Sequence, residues 1–150
     1  MGFNIVLFEP EIPNNTGNIG RLALATNSVL HLVGPLGFEL ADSKLKRAGL
    51  DYWKYLSVQF YNNIDEFYST NSNKNFIYLS SHASKSHYEI PFKENMFLVF
   101  GKESKGLPKD IIEKNHNNSF RIPMYSKKIR SLNLANAVSV VLYEGLRNLE

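Results

Sequence analysis

The stretch Phe3-Asn4-Ile5-Val6-Leu7-Phe8, stopped by Glu9-Pro10, decides the fold. It is an apolar run without the in-and-out alternation of a half-exposed strand. Such a run marks a strand buried on both faces, as in a parallel sheet covered by helices. Working outward, Pro10 to Thr16 is rich in Pro and Asn and reads as a turn, after which Ile19, Leu22, Ala23 and Thr26 recur at helical spacing. Val29 to Val33 is a second strand, closed by Gly34-Pro35 and Gly37. Ser43 to Tyr55 reads as a helix carrying Lys44, Lys46, Arg47 and Lys54 beside Tyr52, Trp53 and Tyr55. Ser57 to Tyr61 is a third strand, and Ile64 to Tyr68 a short helix.

Phe76 to Leu79 and Met96 to Phe100 repeat the buried-strand pattern, while His82 to Phe92 shows no period and reads as loop. Pro108 suits the first turn of a helix reaching about Lys114. Ser119 to Ile122 is a last strand, stopped by Pro123. From Asn133 to Leu149, residues Leu134, Val138, Val141, Leu142, Leu146 and Leu149 mark an amphipathic helix. Strands alternating with helices predict an α/β fold with a mostly parallel sheet and helices on both faces. No linker or internal repeat divides the chain, so residues 1–150 are expected to form a single domain.

Composition narrows the chemistry. The 150 residues carry 17 basic against 14 acidic side chains, a net charge of +3 that permits an anionic partner without demanding one. There is no cysteine, which excludes disulfides, thiolate nucleophiles, Cys-ligated zinc and iron–sulfur clusters. The histidines His31, His82, His87 and His116 form no H-E-x-x-H pair, and no metal is expected. No apolar run is long enough for a membrane span, and the opening residues lack a basic signal-peptide n-region. The expectation is a cytoplasmic protein that does not engage membranes.

In open parallel sheets, ligands collect where the carboxyl ends of the strands lead into loops. Three such segments have unusual composition: Asn14 to Arg21, Phe100 to Pro108, and Ile122-Pro123-Met124 running through Lys127, Lys128 and Arg130 to Asn136. Gly101-Lys102 lacks the earlier Gly and the following Ser or Thr of a Walker A loop. Gly17-x-x-Gly20 is only half of a dinucleotide fingerprint, and no G-x-S-x-G elbow is present. Each residue also has a plainer reading. Gly17, Gly101 and Gly106 suit positive-φ turns, Asn15, Asn18, Ser131 and Asn133 suit helix caps, and Glu103 suits a solvated surface. His31, inside an apolar strand, reads as a hydrogen-bonded core histidine.

Taken in order, these segments resemble the three motifs of the SPOUT superfamily of RNA methyltransferases, and within it the small TrmL-type tRNA 2′-O-methyltransferases. The first motif is Asn15-Thr16-Gly17-Asn18-Ile19-Gly20-Arg21, and the second runs from Phe100-Gly101 through Glu103 to Gly106-Leu107-Pro108. The third is Ile122-Pro123-Met124, followed by Ser131-Leu132-Asn133-Leu134-Ala135-Asn136. Arg47-Ala48-Gly49-Leu50-Asp51-Tyr52 and the opening Asn4 to Pro13 are similar to hallmarks of that branch. The loop before Ser131, Tyr125 to Arg130, is one residue longer and more basic than the pattern.

The resemblance implies a C-terminal trefoil knot, one of the rare exceptions to un-knotted chains. It further implies a homodimer with the active site at the subunit contact, and S-adenosyl-L-methionine as cofactor. The substrate it implies is the ribose of the wobble nucleotide, position 34, cytidine or modified uridine, in certain tRNAs, leucine isoacceptors among them. Cofactor contacts carry over to Leu79, Gly101, Ile122, Ser131 and Met124. The catalytic set becomes Arg21, with Asn15 and Asn133 orienting it and the ribose, Glu103 fixing the second loop, and Tyr143 supporting the dimer or the site. Lys44, Lys46, Arg47 and Lys54, with Lys127, Lys128 and Arg130, are the expected phosphate contacts. Readings left open are another tRNA or ribosomal RNA nucleotide, a non-catalytic RNA-binding homologue, and a generic nucleotide-binding domain.

Overall fold

A computed structural model of the protein describes residues 2–40 and 52–150. Strand β1 is Asn4–Phe8, β2 Val29–Val33, β3 Val58–Tyr61, β4 Phe76–Leu79, β5 Lys85–Ser86, β6 Phe97–Phe100 and β7 Ser119–Arg121. Helix α1 is Pro13–Ala25, α2 Ile64–Thr70, α3 Lys109–Lys114 and α4 Leu134–Leu149. The described strands form one sheet in the order β3-β2-β1-β6-β4-β7-β5. Every pairing between them is parallel.

Both faces of the sheet are covered, as the opening stretch predicts. On one face Ile5, Leu7, Leu30, Leu32, Ile77 and Leu98 pack with Ile19 and Ala23 of α1 and Val138, Val141 and Leu142 of α4. On the other, Val6, Phe8, Val33, Tyr78, Phe97 and Val99 pack with Phe67 of α2 and Ile111 of α3. Phe67 is fully buried and meets Phe8, His31, Tyr61, Tyr68, Phe76 and Phe97 ring to ring. Among the described residues no helix is long and apolar enough to cross a membrane, and no group of three potential metal ligands occurs.

His31 is indeed a core histidine, 4% exposed. Its Nε2 lies 2.8 Å from Asn4 Oδ1 and its Nδ1 2.9 Å from the Tyr61 hydroxyl. Asn4 Nδ2 donates to the Asn95 carbonyl and Asn71 Nδ2 donates to Tyr61 Oη, which fixes the direction of the whole chain of bonds. The neutral ring therefore donates through Nε2 and accepts at Nδ1. Burial pushes its pKa down to about 4.

Two expectations about elements need correction. The motif Asn15 to Arg21 lies inside α1, not in a turn before it, because Pro13 sits in the first turn, where its missing N–H costs no helical bond. The stretch 82–92 is not all loop, since β5 pairs with β7 and a 3-10 turn, His87–Glu89, carries a capping box between Ser86 and Glu89. In the expected helix from Ser43 to Tyr55, residues 43–51 lie outside the described residues, and Trp53–Tyr55 forms a 3-10 turn.

Candidate active site

The carboxyl ends of β4 and β6, the segment leaving β7 and the start of α4 enclose a cavity of about 370 Å³. Leu79 ends β4, Phe100 ends β6, and Ile122 and Met124 follow β7. All five expected cofactor residues, Leu79, Gly101, Ile122, Met124 and Ser131, line this one cavity, as do Asn15, Glu103, Arg130, Leu132 and Asn133. Residues from all three sequence motifs thus meet at one end of the sheet.

Loop 101–107 takes its shape from two glycines. Gly106 adopts φ +69° and its N–H donates to the Lys102 carbonyl at 2.8 Å, turning the loop back on itself. The returning backbone then passes so close to Gly101 that a Cβ there would stand 2.1 Å from Gly106 C and Leu107 N. Gly106 meets the positive-φ expectation; Gly101 is required by close approach, and Gly17 is helical.

Glu103 makes three hydrogen bonds to the start of α1 and the residues before it. Its carboxylate accepts from Glu11 N at 2.8 Å, Ile12 N at 2.9 Å and Asn15 Nδ2 at 3.2 Å. Helix α1 has no side-chain cap and no acidic residue in its first turn. Glu103 supplies that negative charge from elsewhere in the chain, where the helix dipole favours it. In return Ser104 N donates to Glu11 Oε1 at 2.8 Å, and this bond, with the nearby Lys102 and Lys105 charges, holds the Glu11 carboxyl below its ordinary pKa. Lys102 also reaches Glu9 at 3.6 Å.

The chain of bonds continues across the site. Asn133 Nδ2 donates to Asn15 Oδ1 at 3.0 Å, while Asn133 Oδ1 accepts from Ala135 N and Asn136 N and so caps α4. The capping reading of Asn133 is realised, and the same side chain also reaches Asn15. Asn15 is 6% exposed and caps nothing. Glu103 thus bonds to Asn15 and Asn15 to Asn133, and among the described residues of one chain none of the three is hydrogen-bonded to Arg21.

Arg21 and Tyr143 do not line the cavity of their own chain. Arg21 is six residues beyond Asn15 on α1, which places it about 9 Å further along the helix and on another side of it. It is solvent-exposed and sits over the Tyr52 ring, Cζ 4.8 Å from the centroid. Tyr143 is 53% exposed on α4, near the exposed Val140. Lys127 and Lys128 lie on an exposed turn, and Lys54 on the 3-10 turn after Tyr52. Lys44, Lys46 and Arg47 lie outside the described residues. Sequence reasoning passed over Ser80, Ser81 and His82, which follow β4 directly and line the cavity. The strand-end rule would have found them once the end of β4 was fixed.

A family model for the SpoU rRNA Methylase family matches residues 2–143. The chain belongs to this family. Among SpoU members, it is similar to the tRNA (cytidine(34)-2′-O)-methyltransferase of Saccharophagus degradans, with 49% identity across 98% of this chain and 96% of that one. It is also similar to a solved structure described as giving structural insights into the 2-OH methylation of C/U34 on tRNA. That match has a TM-score of 0.93 and 41% identity, over 98% of this chain and 95% of the other. The AdoMet-bound rRNA methyltransferase of Sinorhizobium meliloti matches at TM-score 0.85 and 25% identity, over 99% of this chain and 57% of that one. The α/β fold with its parallel sheet is that of the SpoU methyltransferases.

Proposed function

We propose that this SpoU member is an S-adenosylmethionine-dependent methyltransferase acting on the ribose 2′-hydroxyl of nucleotide 34, cytidine or modified uridine, in tRNA. The observation that carries the reading is the convergence of the three motif segments on one cavity, joined to the relatives' activity on C/U34. Leucine isoacceptors are the substrates to assay first.

The cavity suits the cofactor. Its volume falls in the range of about 300–1,000 Å³ typical of small-molecule sites. Leu79, Ile122 and Leu132 supply apolar walls for an adenine face, and Gly101 lines the cavity with them. Leu79, Gly101, Ile122, Ser131 and Met124 are the residues to hold it. When bound, S-adenosylmethionine supplies an activated methyl group on a sulfonium. The protein's tasks are then to align the hydroxyl, exclude water and ease removal of its proton.

Arg21 is the residue for the substrate side. Its guanidinium grips a phosphate with paired N–H bonds and favours an alkoxide nearby, while the phosphate or another group takes the hydroxyl proton. Glu103, Asn15 and Asn133 serve as positioning residues, bracing the second motif loop against α1 and the start of α4. Lys54, Lys127, Lys128 and Arg130, with Lys44, Lys46 and Arg47, are the phosphate contacts. Since Arg21 stands off the cavity of its own chain, the reading includes a homodimer in which two copies complete each site. Tyr143 and Val140 belong to the contact. Residues 1–150 act as one domain in the cytoplasm, and the C-terminal part of the chain threads a loop to form the trefoil knot.

The test is mass spectrometry of nucleosides from purified tRNA treated with protein and S-adenosylmethionine. A ribose methyl should appear at nucleotide 34. Arg21→Ala should lower transfer at least 100-fold while cofactor affinity stays within about threefold. Full transfer by that variant would remove Arg21 from the mechanism, and no cofactor binding by the native protein would favour a non-catalytic RNA-binding homologue.

A further inference from the structure

The guanidinium of Arg21 lies over an aromatic face. Among the described residues it makes no ion pair, and the Tyr52 ring lies 4.8 Å from its Cζ. The residue that follows Tyr52 packs one position earlier on the helix, at Gly20. A Cβ on Gly20 would come within 2.9 Å of both Trp53 Cζ3 and Leu56 Cδ2. A side chain at that point would force the indole or the leucine to shift away from the α1 backbone. The turn is tied further by Tyr55 N donating to the Tyr52 carbonyl at 3.0 Å and Leu56 N to the Trp53 carbonyl at 3.1 Å. Gly20 and Arg21 are thus matched, in order, by Trp53 and Tyr52.

An aromatic partner differs from an acidic one in a way that matters for phosphate. A carboxylate would occupy the N–H fork of the guanidinium and cancel its charge. A ring face restrains the long side chain from one side and leaves the in-plane N–H donors and the charge available. We infer that Tyr52 is a positioning residue for Arg21, mounted on α1 through the Trp53–Gly20 contact, and that it presents the guanidinium to an RNA phosphate. The inference rests on the proposed role of Arg21.

The experiment compares Tyr52→Leu, Tyr52→Phe and Gly20→Ala with the native protein. It measures kcat, KM for tRNA, cofactor affinity and melting temperature. Tyr52→Leu should lower kcat roughly tenfold or more, with cofactor affinity within twofold. Tyr52→Phe, which keeps the face and loses the hydroxyl, should stay within threefold of native. Gly20→Ala, which displaces Trp53, should resemble Tyr52→Leu. A double-mutant cycle on tRNA affinity then separates action through Arg21 from general damage. Tyr52→Leu should weaken native binding several-fold but add less than twofold to Arg21→Ala. Native kcat in Tyr52→Leu, equal losses in Tyr52→Phe and Tyr52→Leu, or full additivity with Arg21→Ala would each overturn the inference. If Arg21→Ala alone keeps full transfer and tRNA affinity, the parent assignment of Arg21 fails, a result distinct from any of these.

Discussion

Asn133 joins two demands in one side chain, since its carbonyl caps α4 and its amide reaches Asn15 across the site. Removing both with Asn133→Ala should cost about 1 kcal/mol for the cap, and roughly 1–3 kcal/mol more for the unpaired acceptor of buried Asn15. Asn133→Ser should recover the cap share alone, because a hydroxyl is too short to bridge, and urea unfolding of the two variants separates the terms. His31 makes a second prediction. Its folded pKa of about 4 lies below the ordinary histidine value of 6.5, so between these limits the unfolded chain binds a proton that the folded one refuses. Stability should therefore fall as pH drops from about 6.5 toward 4, by up to ~3 kcal/mol. His31→Gln should flatten that slope in unfolding titrations. The burial of His31 was legible from its place in an apolar strand, but its partners Asn4 and Tyr61 come from neighbouring strands and were not.

At the scale of elements, each strand of the sheet announced itself in proportion to its apolar length. β1, β2, β4 and β6 are legible because burial on both faces demands uninterrupted apolar runs. β5 is not, for Lys85-Ser86 is two residues long and lies at the sheet edge, where nothing requires apolar side chains. The motif 101–107 was legible as a loop, while the reason for Gly101 was not. A Gly101→Ala substitution should open the loop, since its Cβ would stand 2.1 Å from Gly106 C. Cofactor affinity by calorimetry should drop at least tenfold, whereas Gly17→Ala, with no loop to open, should spare it more. On the far face, Phe67→Ala removes the centre of the aromatic cluster and should cost about 3–5 kcal/mol in unfolding experiments.

For the whole molecule the net charge is only +3, so binding of tRNA depends on where the cations stand. Each lost phosphate contact should lower the slope of log affinity against log salt by about 0.7–0.9. Replacing Lys127, Lys128 and Arg130 together by Ala should reduce that slope by roughly 2, read from tRNA titrations over a range of salt. Light scattering should give twice the chain mass, and Tyr143→Asp, which places a charge on an exposed part of α4, should shift it toward one copy. Loss of transfer in step with loss of the dimer would follow from an Arg21 that stands off its own cavity.

The sequence alone determined the α/β class, the buried strands, the position of α4 and the three segments able to form a site, because burial and turn chemistry act over neighbouring residues. Tertiary structure alone decided what those segments do to each other. Glu103 braces a helix whose own first turn lacks an acid, Asn15 and Asn133 hold one another, and Tyr52 meets Arg21 beside the Trp53 that packs on Gly20. These contacts join residues tens of positions apart, and only the folded sheet brings them within hydrogen-bond or van der Waals reach.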